Sequence, residues 1–515
     1  MSFINEKEFP MDNELLEQLL SKCKTFSRKN NTGRYVAFEN NADGILPMAF
    51  GKILAAFQFA SEKDMTPLVF NQNRFNEMDR IYHSFGIKTI YTICDMYRYP
   101  IELIKALFSA ALFLLQKPTP EKLISKHYGG ILVGDLVYDE WLRNDDSCVT
   151  IRRIAPFPTA LKRIVKAFFL VNVVKKEFKK HLICAYLAGN TIYTDAIYCR
   201  LAYLMRIPII QYSNEYEMYC YEHTESAIVN VNDQQRLRIK RYMASHTISS
   251  KEIKDMLDDL YAGKGDWNNQ RAFLDKTRDD RITIMRKLGL DVYKKNVVIM
   301  AHCFSDAPHY SGSLLFRDYY EELEEVLKHA DTLDNVNWLL KAHPCRFDYG
   351  EAEVVEEMYQ RCCPQKIVKW LPDEYSAEVL CELADIIITI QGTGGVEFAC
   401  SGIPCIITAN PYYDQFGFTK HVYSRQELFQ VMDEAERILP LTEAQRKSAC
   451  NVLYAYKMLN QKGNDPVCAM VQESYHYYMK NHNERETNDV MLRLAIANLT
   501  EKTLSNSSWI KSAYF

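Results

Sequence analysis

Trp338–Pro344 reads WLLKAHP, and Asp385–Ile407 reads DIIITIQGTGGVEFACSGIPCII. In the second stretch Asp385–Ile390 is an apolar, β-branched run of strand length, suited to a sheet covered on both faces. Gln391–Gly395 follows as a turn in which Gly392, Gly394 and Gly395 let backbone approach a ligand closely. Val396–Ser401 then makes a short helix, ended by Gly402 and Pro404, and PCII is a further strand. A helix that begins at the carboxyl end of a parallel strand presents unpaired N–H groups and the positive end of its dipole, a combination that suits a phosphate. Glu397 would repel a phosphate at contact, but a side chain leaning toward the helix start reaches past it to a ribose diol. The same letters also fit a plain tight turn, with Thr393 or Gly394 as N-cap and Glu397 as a capping-box partner.

His343 and Pro344 close another apolar run, Val336–Leu340, where a strand meets a loop. Proline stiffens that exit, and the imidazole can donate to a phosphate or leaving group in the crevice outside the strand ends. His302 and Ser305 follow the strand NVVIMAH in the same way and are candidates for contact with donor phosphate or sugar. Taken together, these strand ends point to a nucleotide-sugar pocket.

Composition bounds the reading. The chain has 515 residues, 48% hydrophobic and 25% charged, enough for two sizeable cores, and its net charge of −4 does not suggest a nucleic-acid partner. Fifteen cysteines without metal spacing, including vicinal Cys362 and Cys363, suggest a reducing compartment, and no metal site is expected. The first residues lack a basic region followed by an apolar core, so a cytoplasmic chain is expected. Ile101–Leu115 contains Glu102 and Lys105, is too short to span a bilayer, and reads as a buried helix. Ala160–Lys180 carries seven Lys or Arg against one Glu around an apolar centre. It reads either as a helix in peripheral contact with the inner face of an anionic membrane or as an ordinary amphipathic helix with a solvated basic face.

Two α/β halves follow from the alternation of strand and helix patterns. Residues 1–30 read as a helical lead-in and 31–285 as a first Rossmann-like domain, holding RYVAF, TPLVF and KTIYTI as strands. Residues 286–442 read as a second Rossmann-like domain, and 443–515 as a helical C-terminal region. The charge-rich residues between 251 and 290 suggest exposed helices and a linker.

YGGILVGDLVYDEWLR (128–143), DAPHYSGSLLFRDYYEEL (306–323), NWLLKAHP (337–344) and GTGGVEFACSGIPCI (392–406) resemble segments of bacterial capsule and surface polysaccharide biosynthesis proteins of the GT-B type. The resemblance covers roughly residues 33–430. It implies a GT-B fold, two Rossmann-like domains facing across a cleft with helical extensions at both ends. It further implies a metal-independent glycosyltransferase, without a cofactor, that moves a sugar from a nucleotide-sugar donor to a saccharide or glycolipid acceptor. Members that use CMP-activated acidic sugars carry an HP dipeptide, matched by His343 and Pro344, and an acidic residue before glycine, partly matched by Asp43 and Gly44. Their paired hydroxyl motif is absent, Gly392, Thr393 and Gly394 standing in its place, which leaves UDP and GDP sugars open.

The resulting expectation places His343 and the Gly392–Gly395 turn at the donor phosphates and Glu397 at the ribose, with Asp43 first and Asp135 second as the base that takes the acceptor proton. A CDP-polyol phosphotransferase of teichoic-acid type, a sugar-nucleotide epimerase and a noncatalytic assembly subunit share the same broad architecture.

Overall fold

The computed structural model describes residues 10–26, 33–40, 46–145, 148–189, 191–212, 219–223, 230–262, 279–312, 314–460 and 466–501. Asp43 and Gly44, the linker at 263–278 and the first nine residues of the lead-in lie outside the described residues. The chain forms two compact units.

The first unit takes in Met1–Val137, Arg153–Val229 and Asn460–Phe515. Its strands are β1 (Arg34–Glu39), β2 (Thr66–Asn71), β3 (Lys88–Tyr91), the short pair β4 (His127–Tyr128) and β5 (Ile131–Leu132), β6 (Leu182–Ala188), β7 (Ile209–Gln211) and β8 (Tyr219–Cys220). Six of them form one sheet in the order β3-β2-β1-β6-β7-β8, parallel except for β8, while β4 and β5 pair as a separate antiparallel ribbon. The second unit takes in Tyr138–Arg152 and Asn230–Leu459. Its strands β9 (Asn296–Met300), β10 (Asn337–Lys341), β11 (Lys369–Trp370), β12 (Ile386–Thr389), β13 (Cys405–Ile407) and β14 (Thr419–His421) form a fully parallel sheet in the order β11-β10-β9-β12-β13-β14. Every residue of β12 is buried, as its unbroken apolar run requires of a strand covered by helices on both faces.

Counted within each six-stranded sheet, both run 3-2-1-4-5-6, the doubly wound order of dinucleotide-binding folds. The paired α/β plan expected from the sequence is therefore present in both units.

The boundary differs from the expected residue 285. Chain ownership changes at Val229/Asn230, because the helices Val231–Ser245 and Ser250–Tyr261 pack into the second unit, the first largely through buried polar side chains, Asn232 and Arg236 bonding Asn410 and Pro411. Ile239, Met256 and Leu260 from these helices share a core with Val396, Ala399, Tyr413 and Leu453. The C-terminal region is also divided. Glu443–Leu459 stays with the second unit, while Pro466–Asn481 and Glu484–Asn498 join the first. There Met470, Val471, Met491 and Leu492 bury against Phe50, Phe57 and the lead-in helix Asn13–Lys24, through Leu16 and Leu19.

One helix expectation narrows and another changes. The helix Phe157–Lys180, a candidate for membrane contact over 160–180, turns its apolar side into the first unit, burying Ile164, Phe168, Val171 and Phe178, with Phe168 stacked on Tyr128 at 3.9 Å. The helix Pro100–Leu115, expected to be buried, is buried on one side only, through Ala106, Ala110, Phe113 and Leu114. No described helix is long and apolar enough to cross a membrane.

Candidate functional site

In the second unit β9 and β12 are neighbours, yet β10 lies beyond β9 on one side and β13 beyond β12 on the other. The chain leaves their carboxyl ends in opposite directions, and this reversal opens a crevice. His302 sits two residues past β9, and Thr389 is the last residue of β12. The Thr389 hydroxyl accepts the Gly392 N–H at 3.3 Å and donates to His302 Nε2 at 3.3 Å. The Gln391 N–H also points at Nε2, at 3.5 Å. With Nε2 accepting, the proton of a neutral ring resides on Nδ1. Burial, reinforced by nearby His343, pushes the His302 pKa down to about 3, which keeps the ring neutral.

His343 caps a turn of 3-10 helix, Pro344–Phe347, and its Nδ1 accepts the Cys345 N–H at 3.2 Å. The Cys303 Sγ lies 3.2 Å from the same nitrogen, and burial pushes the Cys303 thiol far up, so it remains a donor. Both contacts place the proton of His343 on Nε2. Two neutral imidazoles, each with its tautomer fixed by its neighbours, thus follow the carboxyl ends of the adjacent strands β9 and β10.

The glycines of the GTGG turn answer to packing. None of Gly392, Gly394 and Gly395 has a positive φ. A Cβ on Gly395 would lie 2.1 Å from the Tyr413 hydroxyl, and that hydroxyl donates to the Gly392 carbonyl at 2.6 Å. A Cβ on Gly392 would lie 3.0 Å from Thr389 Oγ1, and one on Gly394 would lie 3.3 Å from the Phe398 ring. The close approach inferred from these glycines is therefore made by the protein's own side chains. Gly395→Ala is expected to destabilise the chain by about 1–3 kcal/mol through overpacking, and in a double-mutant cycle read by urea unfolding Tyr413→Phe should recover part of that loss.

Thr393 is exposed, with helical dihedrals and no side-chain cap, so its hydroxyl faces solvent at the turn. The helix that follows, Gly394–Cys400, spans seven residues, and Glu397 is half-buried in its first turn. Glu397 is close enough to Tyr412 and Tyr413 for its charge to add to the burial that raises both phenols.

Ser305 does not join the histidines as a free donor. Its hydroxyl donates to Glu351 Oε1 at 2.7 Å, and its N–H and that of Phe304 bind the same carboxylate at 2.9 and 2.7 Å. Glu351 thereby clamps the loop after β9. A second clamp is His309, whose Nδ1 meets Asp139 Oδ1 at 2.6 Å and whose Nε2 meets the Arg317 carbonyl at 2.9 Å.

Asp135 is removed from the list of candidate bases. It belongs to the first unit, is buried, and forms a two-pronged pair with Arg200 at 2.8 and 2.7 Å. Both carboxylate oxygens are turned toward the guanidinium, so neither is presented to an acceptor hydroxyl. Arg200 is itself buried.

Several residues of the crevice are absent from the sequence reading. Thr389 is the one hydroxyl inside DIIITI, Gln391 is held by Tyr319 and Ser311, and Glu322 is buried between them and β13 through the Thr408 hydroxyl. Glu322 had a legible signal: it falls on the apolar stripe of the helix Tyr319–Ala330 with Tyr319, Leu323 and Val326. In the first unit the corresponding strand end is filled by Glu39, which binds Lys52 Nζ at 2.6 Å and the hydroxyl of Tyr186.

No protein-family model matches the chain, and no curated protein matches it. Among solved structures it is similar to the Thermosulfurimonas dismutans KpsC beta Kdo 2,4 transferase, at 12% identity over 56% of this chain and 87% of that one, with a TM-score of 0.33. Anabaena Alr3699/HepE, solved in complex with UDP, aligns at 11% identity over 87% of this chain and 99% of that one, with a TM-score of 0.27. The UDP-GlcNAc 2-epimerase of Methanocaldococcus jannaschii aligns at 10% identity over 82% of this chain and 98% of that one, with a TM-score of 0.28.

Proposed function

We propose that the second unit binds a nucleotide-sugar donor and that the chain transfers the sugar to a saccharide or glycolipid acceptor of a capsule or surface polysaccharide. The observation that carries this reading is the pair of neutral, tautomer-fixed histidines, His302 and His343, at the switch point of a 3-2-1-4-5-6 sheet. Neutral imidazole donors fixed before the substrate arrives can stabilise negative charge as it develops on a departing nucleoside phosphate, with no reorganisation during the reaction. In this reading the exposed Thr393 hydroxyl adds a third donor at the turn, and Glu397 accepts from the ribose. These donors come from the chain itself, so the proposed transfer is assigned no metal or cofactor. Asp43 is the proposed acceptor base, Asp135 being occupied by Arg200.

A thermal-unfolding panel of CMP, UDP, GDP, CDP and their common sugars tests the donor site directly. One nucleotide class should stabilise the chain by about 2.7 kcal/mol at a hundredfold excess over its dissociation constant, and His302→Ala and His343→Ala should each reduce that gain. No stabilisation by any member of the panel would overturn the reading. Product analysis with the stabilising sugar nucleotide then separates transfer from epimerisation, because only transfer requires an added acceptor.

A further inference from the structure

The helix Pro100–Leu115 in the first unit has two apolar sides. Ala106, Ala110, Phe113 and Leu114 are buried, on the side that packs against the helix Phe157–Lys180. On the opposite side Ile101, Ile104, Phe108 and Leu115 are 60%, 64%, 66% and 70% exposed, with Leu112 between them at 47%. Their spacing of three and four residues puts them in one line, roughly 24 Å long for a helix of this length. Tyr97, 71% exposed in the turn just before the helix, extends the line with an aromatic ring that carries a polar tip. A continuous apolar stripe of this size on a folded unit marks an interaction surface.

The charges around the stripe identify what it meets. Lys105, Lys117 and Lys122 are exposed along the same stretch, beside one exposed acid, Glu121, while the exposed Arg98 is paired with Asp95 at 3.2 Å. The only acid of the helix, Glu102, is taken up by Lys176 at 2.9 Å. Lys179 and Lys180 are also exposed on the helix packed behind, with Lys180 lying 3.5 Å from Glu177. Apolar side chains bordered by cations, with an amphipathic aromatic at one end, match the boundary between acyl chains and anionic headgroups. A second copy would bring these cations against their equals, and six side chains fall short of the roughly 20–30 residues a side of a stable protein interface.

We propose that this face of the Pro100–Leu115 helix docks the chain on an anionic lipid surface. The stripe enters only to the depth of the headgroup boundary, because the other side of the helix is held by the unit's own core. The basic helix Phe157–Lys180 contributes long-range attraction while its apolar residues stay inside the protein. This docking is independent of the donor site, so each can fail without the other.

The test is flotation of the full chain with vesicles of phosphatidylcholine alone or mixed in equal parts with phosphatidylglycerol. Binding to the mixed vesicles should be about tenfold or more tighter than to the neutral ones and should weaken as salt is added. Ile104→Asn combined with Phe108→Asn should lose about tenfold in binding with an unchanged unfolding temperature, since both side chains are exposed. Lys105→Glu combined with Lys117→Glu reads the same face through charge, and should abolish the preference for anionic vesicles even if the asparagine pair disturbs folding. No binding to mixed vesicles at low salt, or full binding by a folded variant of either pair, would overturn the proposal. So would a dimer in sedimentation velocity that the asparagine pair dissociates, which would assign the face to a second copy.

Discussion

Arg200→Ala is expected to destabilise the first unit by about 3–5 kcal/mol, because it leaves the Asp135 carboxylate buried without its counter-charge. Both side chains are almost fully buried, the guanidinium holds both carboxylate oxygens, and Nη1 also donates to the Leu132 carbonyl at 2.8 Å. The pair thereby joins the helix Gly134–Arg143 and the short strand β5 to the helix Ala196–Leu204. Asp135→Asn keeps the shape and one acceptor while leaving the cation buried, so its loss should be of the same kind and smaller. The informative variant is the double replacement Asp135→Leu with Arg200→Met. Removing both charges together avoids the uncompensated ion and should return most of the stability lost in either single variant. Urea unfolding of the three variants reads this directly. If Asp135 were the acceptor base, the double variant would be stable and inactive; the ion-pair role predicts that its activity returns with its stability.

The strands were legible because the chemistry of a doubly buried parallel strand is local. In NVVIM, NWLLK and IIIT every position but Asn296, Asn337 and Lys341 is a β-branched or large apolar residue, a pattern that at this length suits a strand covered on both faces. His302 and His343 could be placed for the same reason, each following such a run by one or two residues. What the letters did not carry was partnership. Ser305 and Asp135 look like free polar groups after a strand or a glycine, and only the fold brings Glu351 to one and Arg200 to the other. The GTGG turn is nonlocal in a related way. Its glycines are demanded by Tyr413, Thr389 and Phe398, residues that approach from other elements or from the far side of the helix. The first unit's ownership of the last helices is equally nonlocal, since Met491 and Leu492 meet Leu16 and Phe50 across most of the chain's length. The hydrophobic stripe that makes this contact is short and diluted by charge, so it reads as surface until its partner is known.

Glu322 should make stability fall as pH rises through the neutral range. Burial is the largest influence on its carboxyl and pushes it from 4.5 up to about 7, against smaller opposing effects of the Thr408 hydroxyl bond and the Arg425 charge. One oxygen accepts from Thr408, and the other is buried with no partner among the described residues. The folded chain therefore keeps the proton up to about pH 7, while the unfolded chain releases it above 4.5. Between those values the native state binds more protons than the unfolded state, so stability is highest below the window and declines across it. The shift corresponds to a loss of about 3 kcal/mol by the upper end. Glu322→Gln retains an oxygen for Thr408 and cannot ionise. Its stability should match the parent near pH 4.5, after the cost of the new amide is subtracted, and exceed it by about 3 kcal/mol at about pH 8. Comparing the two proteins at each pH cancels every other titrating group, because only position 322 differs. An equal stability difference at both ends of the window would sink the assignment. The effect reaches the candidate site by a short route: Glu322 holds Thr408 at the end of β13, and the Thr408 N–H donates at 3.4 Å to the carbonyl of Ile390, which lies between Thr389, the last residue of β12, and Gln391. An ionised Glu322 would strain the strand end that fixes the His302 tautomer, so nucleotide stabilisation in the parent should weaken above about pH 7 while that of Glu322→Gln stays level.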